Sequence, residues 1–202
     1  MTTAAASGPG RRERKKAATR QALSDAALRL FLERGYDQVT VAEIANAADT
    51  AVTTLFSHFP AGKEALILDD AREREASLLE AVRGRAEDAS LLDALRAFFA
   101  GRGVFAAEGE GEGAGDETLR RTIELVKQTP ALRAYARQIW VSCQDALAGE
   151  IAAENGRREP DAADRVLARF VLEIPDLAGE AADAVRLLDE AFSRLHAAWP
   201  EA

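Results

Sequence analysis

The chain has 202 residues, 48% of them hydrophobic and 30% charged, which is a globular composition long enough for one or two domains. No run of about 18 apolar residues occurs, the basic N-terminal stretch is not ordered like a secretory signal, and one cysteine rules out an internal disulfide. With only two histidines beside it a His/Cys metal cage is excluded as well; no cofactor is expected, and the protein reads as cytoplasmic with no membrane partner.

The net charge of −8 is spread unevenly: residues 1–63 hold nine Lys/Arg against six Asp/Glu, and residues 64–202 hold seventeen against twenty-eight. A basic end on an acidic body suits a polyanion met at one end only, the plain alternative being a solvated tail. The 44 alanines against 16 Val and Ile together favour helix over strand throughout.

In chain order, residues 1–10 lack periodicity, carry Gly-Pro-Gly and read as a disordered leader. From Arg11 a helical pattern builds through Leu23, Ala26, Ala27, Leu30 and Phe31, and Gly35 ends it. Thr40 and Glu43 form a T-x-x-E capping box that opens a short helix bearing Ile44, Ala45 and Ala48. A second short helix follows Asp49-Thr50, from Ala51 to His58, and Pro60, Ala61 and Gly62 break the chain. A long helix is expected from Lys63 to Arg83, and another, capped by Ser90, through Leu91, Leu95 and Phe99. Residues 108–116 read as a flexible acidic loop; without Lys or Ser/Thr, and with repelling carboxylates, it is no phosphate cradle. Thr129-Pro130 starts a helix expected to run to Ala153, and another is expected over 160–173, stopping near Pro175. The last helix carries Ala181, Val185, Leu188, Phe192, Leu195 and Trp199 at steps of four and three, a seam for another helix in this subunit or a second one.

Two short helices joined tightly at Asp49 have helix-turn-helix geometry. The stretch from Thr19 to Leu66 resembles the DNA-binding region of the TetR family of one-component transcriptional regulators. The resemblance is carried by Arg20, Ala26-Ala27, Leu30-Phe31, Gly35-Tyr36, Thr40-Val41, Ile44-Ala45, Ala48, Thr54-Leu55-Phe56, His58-Phe59 and Lys63-Glu64. It implies an all-α fold: an N-terminal three-helix helix-turn-helix DNA-binding domain over 11–62, then a helical ligand-binding and dimerisation domain over 63–202. Two departures from the family pattern stand out. Thr50-Ala51 replaces a common Val-Ser, leaving Thr50 to cap the next helix, and Phe56 replaces a common Tyr, so a hydroxyl contact is lost.

The helix Ala51–His58 is the one expected in the major groove, with Val52, Thr53 and Phe56 facing out and Leu55 and Phe59 packing inward. Thr50, Thr54 and His58 complete its candidate DNA-binding set. Thr40 and Lys63 stand at helix starts where family members clamp phosphates, and Arg11, Arg12, Arg14, Lys15 and Lys16 add backbone or minor-groove contacts. The plain alternatives are a core Phe56, a structural His58 and a solvated Lys63.

The same resemblance implies a homodimer, joined through its last two helices, that binds a palindromic double-stranded DNA operator as a repressor. A small, largely apolar inducer of unknown identity would release it by shifting the helix that starts at Lys63. Candidate pocket linings are Phe98, Phe99, Phe105, Tyr135, Ile139, Trp140, Cys143 and Phe170, with Arg102, Gln144, Arg169 and Glu173 as polar anchors; the equally simple reading makes the aromatics an ordinary core. No Ser/His/Asp set or facing carboxylate pair emerges, so catalysis is not expected. The competing class is a helical adaptor or dimerisation module without specific DNA binding.

Overall fold

The computed structural model describes residues 10–68, 71–108 and 116–199, and among them every element is helical. The leader expected over 1–10 and the loop expected over 108–116 therefore lie almost wholly outside the described residues; at their edges, Gly10 precedes the first helix, Glu108 ends a helix and Asp116 caps one. The chain separates into two compact units, Met1–Leu68 and Asp69–Ala202.

In the first unit, α1 (Arg11–Arg34) buries Leu23, Ala26, Ala27, Leu30 and Phe31 along one stripe and ends at Gly35, whose φ of 85° only glycine adopts freely. The expected capping box opens α2 (Val41–Ala47): the Thr40 hydroxyl accepts from the Glu43 amide, and the Glu43 carboxylate accepts from the Thr40 amide. α2 ends in a Schellman turn, in which the Asp49 amide donates to Asn46 O (3.1 Å) and the Thr50 amide to Ala45 O (2.9 Å). Asp49 holds the left-handed position of that turn, at φ 50°. This turn aims α3 (Val52–His58) away from α2.

The long helix expected from Lys63 does not form. Instead, Glu64–Leu66 make one 3₁₀ turn whose Ala65 and Leu66 are buried, and α4 begins at Ala71 and runs to Arg83. Lys63 stands at the start of that 3₁₀ turn, and its side chain folds back on the loop between α1 and α2 (see below).

The second unit continues with α5 (Leu91–Ala100), α6 (Gly103–Glu108), α7 (Glu117–Gln128), α8 (Pro130–Ser142), α9 (Gln144–Glu154), α10 (Ala162–Glu180) and α11 (Ala184–Ala198). Its core gathers Leu78 and Val82 of α4, Leu92, Leu95 and Phe99 of α5, Leu147 and Ile151 of α9, Leu167 and Val171 of α10, and Leu188 and Phe192 of α11. The helix expected from Pro130 to Ala153 is divided at Cys143, which caps α8 and precedes α9. α10 runs through Pro175 instead of stopping there, because Ile174 and Ala178 on either side of the proline are buried and hold the helix in place. A second Schellman turn at Gly156 (φ 67°) ends α9 and points Arg157 at Asp164, the buried N3 residue of α10's capping box. The seam of α11 is consumed inside this subunit: Leu188, Phe192 and Leu195 are buried in its own core.

Candidate nucleic-acid interface

α3 is anchored by its inward residues. Leu55 and Phe59 are fully buried, and the Arg20 guanidinium of α1 lies over the Phe59 ring at 4.4 Å while donating to His58 O at 2.8 Å. A hydrogen bond to the last turn of α3 from a cation that also stacks beside it locks the helix onto α1. Sequence reasoning took Arg20 as part of the family pattern without seeing this role. With the inner face fixed, the helical period turns Thr53, Phe56 and Ser57 outward, and Phe56 is 45% exposed, so it is not core. Val52 and Thr54 are half-buried at the edges of that face. Ser57, which was not anticipated, is exposed beside Phe56, and its hydroxyl donates to Thr54 O at 2.8 Å.

The expected helix cap from Thr50 is absent. Ala51 is the N-cap, no side chain caps α3, and the Thr50 amide is committed to the Schellman turn. Thr40 is half of a cap in its own right: its hydroxyl donates to Glu43 Oε2 (2.8 Å), and Arg34 donates to Glu43 Oε1 (2.7 Å). Those bonds pull the Glu43 pKa down to about 2, the Thr40 amide acting most strongly and the Arg34 hydrogen bond next. The His58 imidazole is pushed below its ordinary value by burial first, then by Lys16 and Arg20, and its Nδ1 is buried without a hydrogen-bond partner.

Lys63 differs most from expectation. Its ammonium donates to Tyr36 O (2.5 Å) and Val39 O (2.8 Å) and sits 3.8 Å from the centre of the Tyr36 ring. Burial pushes its pKa down, opposed by Asp37 and Glu64. Two of its three donors are spent on holding the loop between α1 and α2, so one N–H remains for anything outside. The Tyr36 hydroxyl, in turn, donates to Glu64 Oε1 at 2.6 Å, fastening the 3₁₀ turn to the same loop. The basic side chains Arg11, Arg12, Arg14, Lys15 and Lys16 are exposed along the first turns of α1.

Of the residues expected to line a pocket, the structure brings five together in the core: Phe98, Phe99, Phe105, Trp140 and Cys143. The Phe99 and Trp140 rings meet at 5.3 Å, Phe98 and Trp140 at 6.3 Å, and Phe99 and Phe105 at 6.4 Å. Burial raises the Cys143 thiol's pKa, which keeps it protonated and makes it a packing residue. Ile139 is buried, and its carbonyl accepts from the Cys143 thiol (3.4 Å); Tyr135 and Gln144 are half-buried. Arg102 lies at the surface, stacked on the Phe98 ring at 3.9 Å. Phe170 and Arg169 do not join the core. Successive positions on α10 turn by about 100°, so with Leu167, Ala168, Val171 and Leu172 inward, Phe170 is left 52% exposed against Trp199, and Arg169 is exposed too. Glu173 is neutralised by Arg137 (3.0 Å) and Arg169 (3.6 Å).

A basic α1 supporting two short helices, the second presenting a polar and aromatic outer face, defines a helix-turn-helix DNA-binding protein with an all-helical second unit. The comparisons specify which kind. The model of bacterial regulatory proteins of the tetR family matches residues 23–69, and the model of the MftR C-terminal domain matches residues 89–200. The HTH-type transcriptional regulator TcmR of Streptomyces glaucescens is 32% identical over 173 residues, covering 86% of this chain and 75% of TcmR. A Mycobacterium tuberculosis protein described as the mycofactocin biosynthesis transcriptional regulator MftR is 29% identical, covering 73% and 71%. Among solved structures, SmeT, the repressor of the Stenotrophomonas maltophilia multidrug efflux pump SmeDEF, shares the fold at TM-score 0.55 and 22% identity, covering 91% of each chain. Salmonella enterica GusR does so at TM-score 0.53 and 21% identity, covering 89% of this chain and 94% of its own. The chain belongs to the TetR family of transcriptional regulators. Such proteins are DNA-binding, ligand-responsive regulators and not enzymes.

Proposed function

We propose that this protein represses transcription from a palindromic operator that it grips as a homodimer, and that a small molecule held in its second unit releases it. The observation that carries the reading is the outer face of α3, where Thr53, Phe56 and Ser57 are exposed above the fixed Leu55 and Phe59. That face offers hydroxyls and an aromatic edge to bases and thymine methyls, with Val52 and Thr54 beside it. Thr40, Thr50 and His58 border the same helix pair, and the exposed cations of α1 supply the salt-dependent hold on phosphates. Lys63 acts mainly by setting the loop, with its third N–H left for one phosphate.

The subunit contact we assign to α10. Val166, Phe170 and Leu177 are 44%, 52% and 56% exposed along it, and Phe170 already stacks on Trp199 at 6.1 Å. A two-fold pairing of that stripe buries it, and a two-fold protein reads a two-fold site. Sedimentation and footprinting test both parts. Phe170→Glu is expected to give monomers that lose symmetric protection, while Thr53→Ala keeps the dimer and loses roughly 1–3 kcal/mol on the operator alone. A dimeric Phe170→Glu protein refutes the face, and a Thr53→Ala variant equally weakened on random DNA refutes the reading helix.

A further inference from the structure

The outer face of α3 carries two rows of side chains at four-residue spacing, which stacks each row along one side of the helix. Val52 and Phe56 form an apolar row, and Thr53 and Ser57 form a hydroxyl row beside it. Phe56 is 45% exposed, the one large apolar side chain so exposed among the described residues of the first unit. The hydroxyl row is poor in donors. Ser57 already gives its O–H to Thr54 O at 2.8 Å, which leaves the Thr53 hydroxyl as the exposed O–H for a base edge.

From Thr50 to Phe59 the sequence contains no Arg, Lys, Asn, Gln, Asp or Glu. In the major groove guanine is read by a two-pronged Arg or Lys, adenine by Asn or Gln, and cytosine by a carboxylate, so three of the four bases find no matched partner on α3. His58 does not supply one. It stands on the last turn with Nδ1 buried, so a single ring nitrogen is left to face outward and a two-pronged contact is out of reach. Thymine is the remaining base, and it alone presents a methyl group to the major groove. A row of Val and Phe gains from meeting that methyl, because both partners withdraw apolar area from water. A tyrosine at position 56 would bring a hydroxyl that asks for a hydrogen bond; phenylalanine leaves the ring wholly apolar.

We propose that this protein selects its operator chiefly through thymine methyl groups, read by the Phe56 ring with Val52 beside it, and that the Thr53 hydroxyl adds one polar contact. The proposal rests on the operator-binding reading above and adds to it the chemistry of the sequence that is recognised. A methyl at the same place on cytosine serves the ring equally well, so 5-methylcytosine substitutes for thymine at that position and cytosine does not.

The full-length protein is used to enrich binding sites from random-sequence double-stranded DNA. The enriched site is then resynthesised with uracil for single thymines, which removes only the methyl, or with 7-deazaguanine for single guanines, which removes only the N7 acceptor. The expected result is a thymine in each half-site whose replacement by uracil weakens binding roughly threefold to fivefold, the worth of one buried methyl. Guanine replacements are expected to change affinity by less than about twofold. With a cytosine–guanine pair at the sensitive position, methylating the cytosine tightens binding by roughly the same threefold to fivefold. In Phe56→Ala, which keeps the buried anchors Leu55 and Phe59 and is expected to melt like wild type, thymine and uracil sites bind alike; Phe56→Leu, still apolar, retains part of the preference. An enriched site with no uracil-sensitive thymine, a uracil effect undiminished in Phe56→Ala, or a 7-deazaguanine that costs about tenfold overturns the methyl reading and leaves the operator reading intact. Failure to enrich any sequence above random DNA strikes the operator reading itself, and the methyl reading falls with it.

Discussion

Replacing Lys63 separates two roles that a lysine at this position can play. In Lys63→Met the side chain keeps its length, but the ammonium that donates to Tyr36 O and Val39 O and faces the Tyr36 ring at 3.8 Å is gone. Each hydrogen bond from a charged donor is worth about 1.5–3 kcal/mol and the ring contact about 0.5–1. Against these stands the cost of holding the ammonium partly out of water, visible in the pKa that burial pushes down. The Tyr36 carbonyl also keeps a 3.4 Å contact from the Val39 amide, whereas the Val39 carbonyl loses its Lys63 donor. Allowing for partial exposure, the net loss is about 2–3 kcal/mol. In a unit of 68 residues that lowers the melting midpoint by roughly 10–20 °C. Thermal melts and operator titrations at several salt concentrations are the assay. A large fall in midpoint with the salt slope changed by less than one per subunit is expected. An unchanged midpoint with the slope reduced by about one makes Lys63 a phosphate clamp, and the structural argument is then refuted.

Three further outcomes follow from local geometry. The depressed Glu43 pKa means the capping box stabilises fully above the ordinary carboxylate value of 4.5 and loses that contribution as pH falls toward about 2, so Glu43→Gln should flatten the urea midpoint across that window relative to wild type. At φ 50°, Asp49→Gly should be neutral or stabilise by up to about 1 kcal/mol, whereas Asp49→Val should lose about 1–2 kcal/mol in denaturant titrations; a tolerated valine contradicts the Schellman assignment. Arg157→Ala should lower the second unit's thermal midpoint by leaving Asp164, only 3% exposed, without its cation, and joint replacement of both by leucine should recover more than half of the loss.

The first unit was largely legible because its signals are short-range. T-x-x-E, Gly35 and the inward pair Leu55 and Phe59 each act within a turn or two of their own position. Lys63 was misread because the carbonyls it binds belong to residues 24 and 27 positions earlier, in a loop whose path no local pattern reveals. In the second unit, α10 has two apolar faces, and only the fold decides that Leu167 and Val171 go inward while Phe170 stays out. The break at Cys143 is likewise hidden in an apolar run with no glycine or proline near it. α7 was missed next to the glycine-rich stretch, although Asp116, whose carboxylate accepts from the amides of Thr118 and Leu119, ahead of Leu119, Ile123 and Val126 is a readable start. Of the seam expected on the last helix, Ala181 instead caps α10, and Leu188, Phe192 and Leu195 pack in the core of their own subunit, one of the two partners the pattern allows.

Pro175 has a mechanical consequence. Lacking an N–H, it offers nothing to the carbonyl of Val171 four residues earlier, so α10 is missing one rung of its ladder near the middle of its length. Bending there is the softest motion available to an otherwise rigid rod. Phe170 lies on one arm and Leu177 on the other. In the proposed pairing, α10 is therefore a pair of levers on a common pivot, and any bend at the pivot changes the angle at which two copies of the stripe meet.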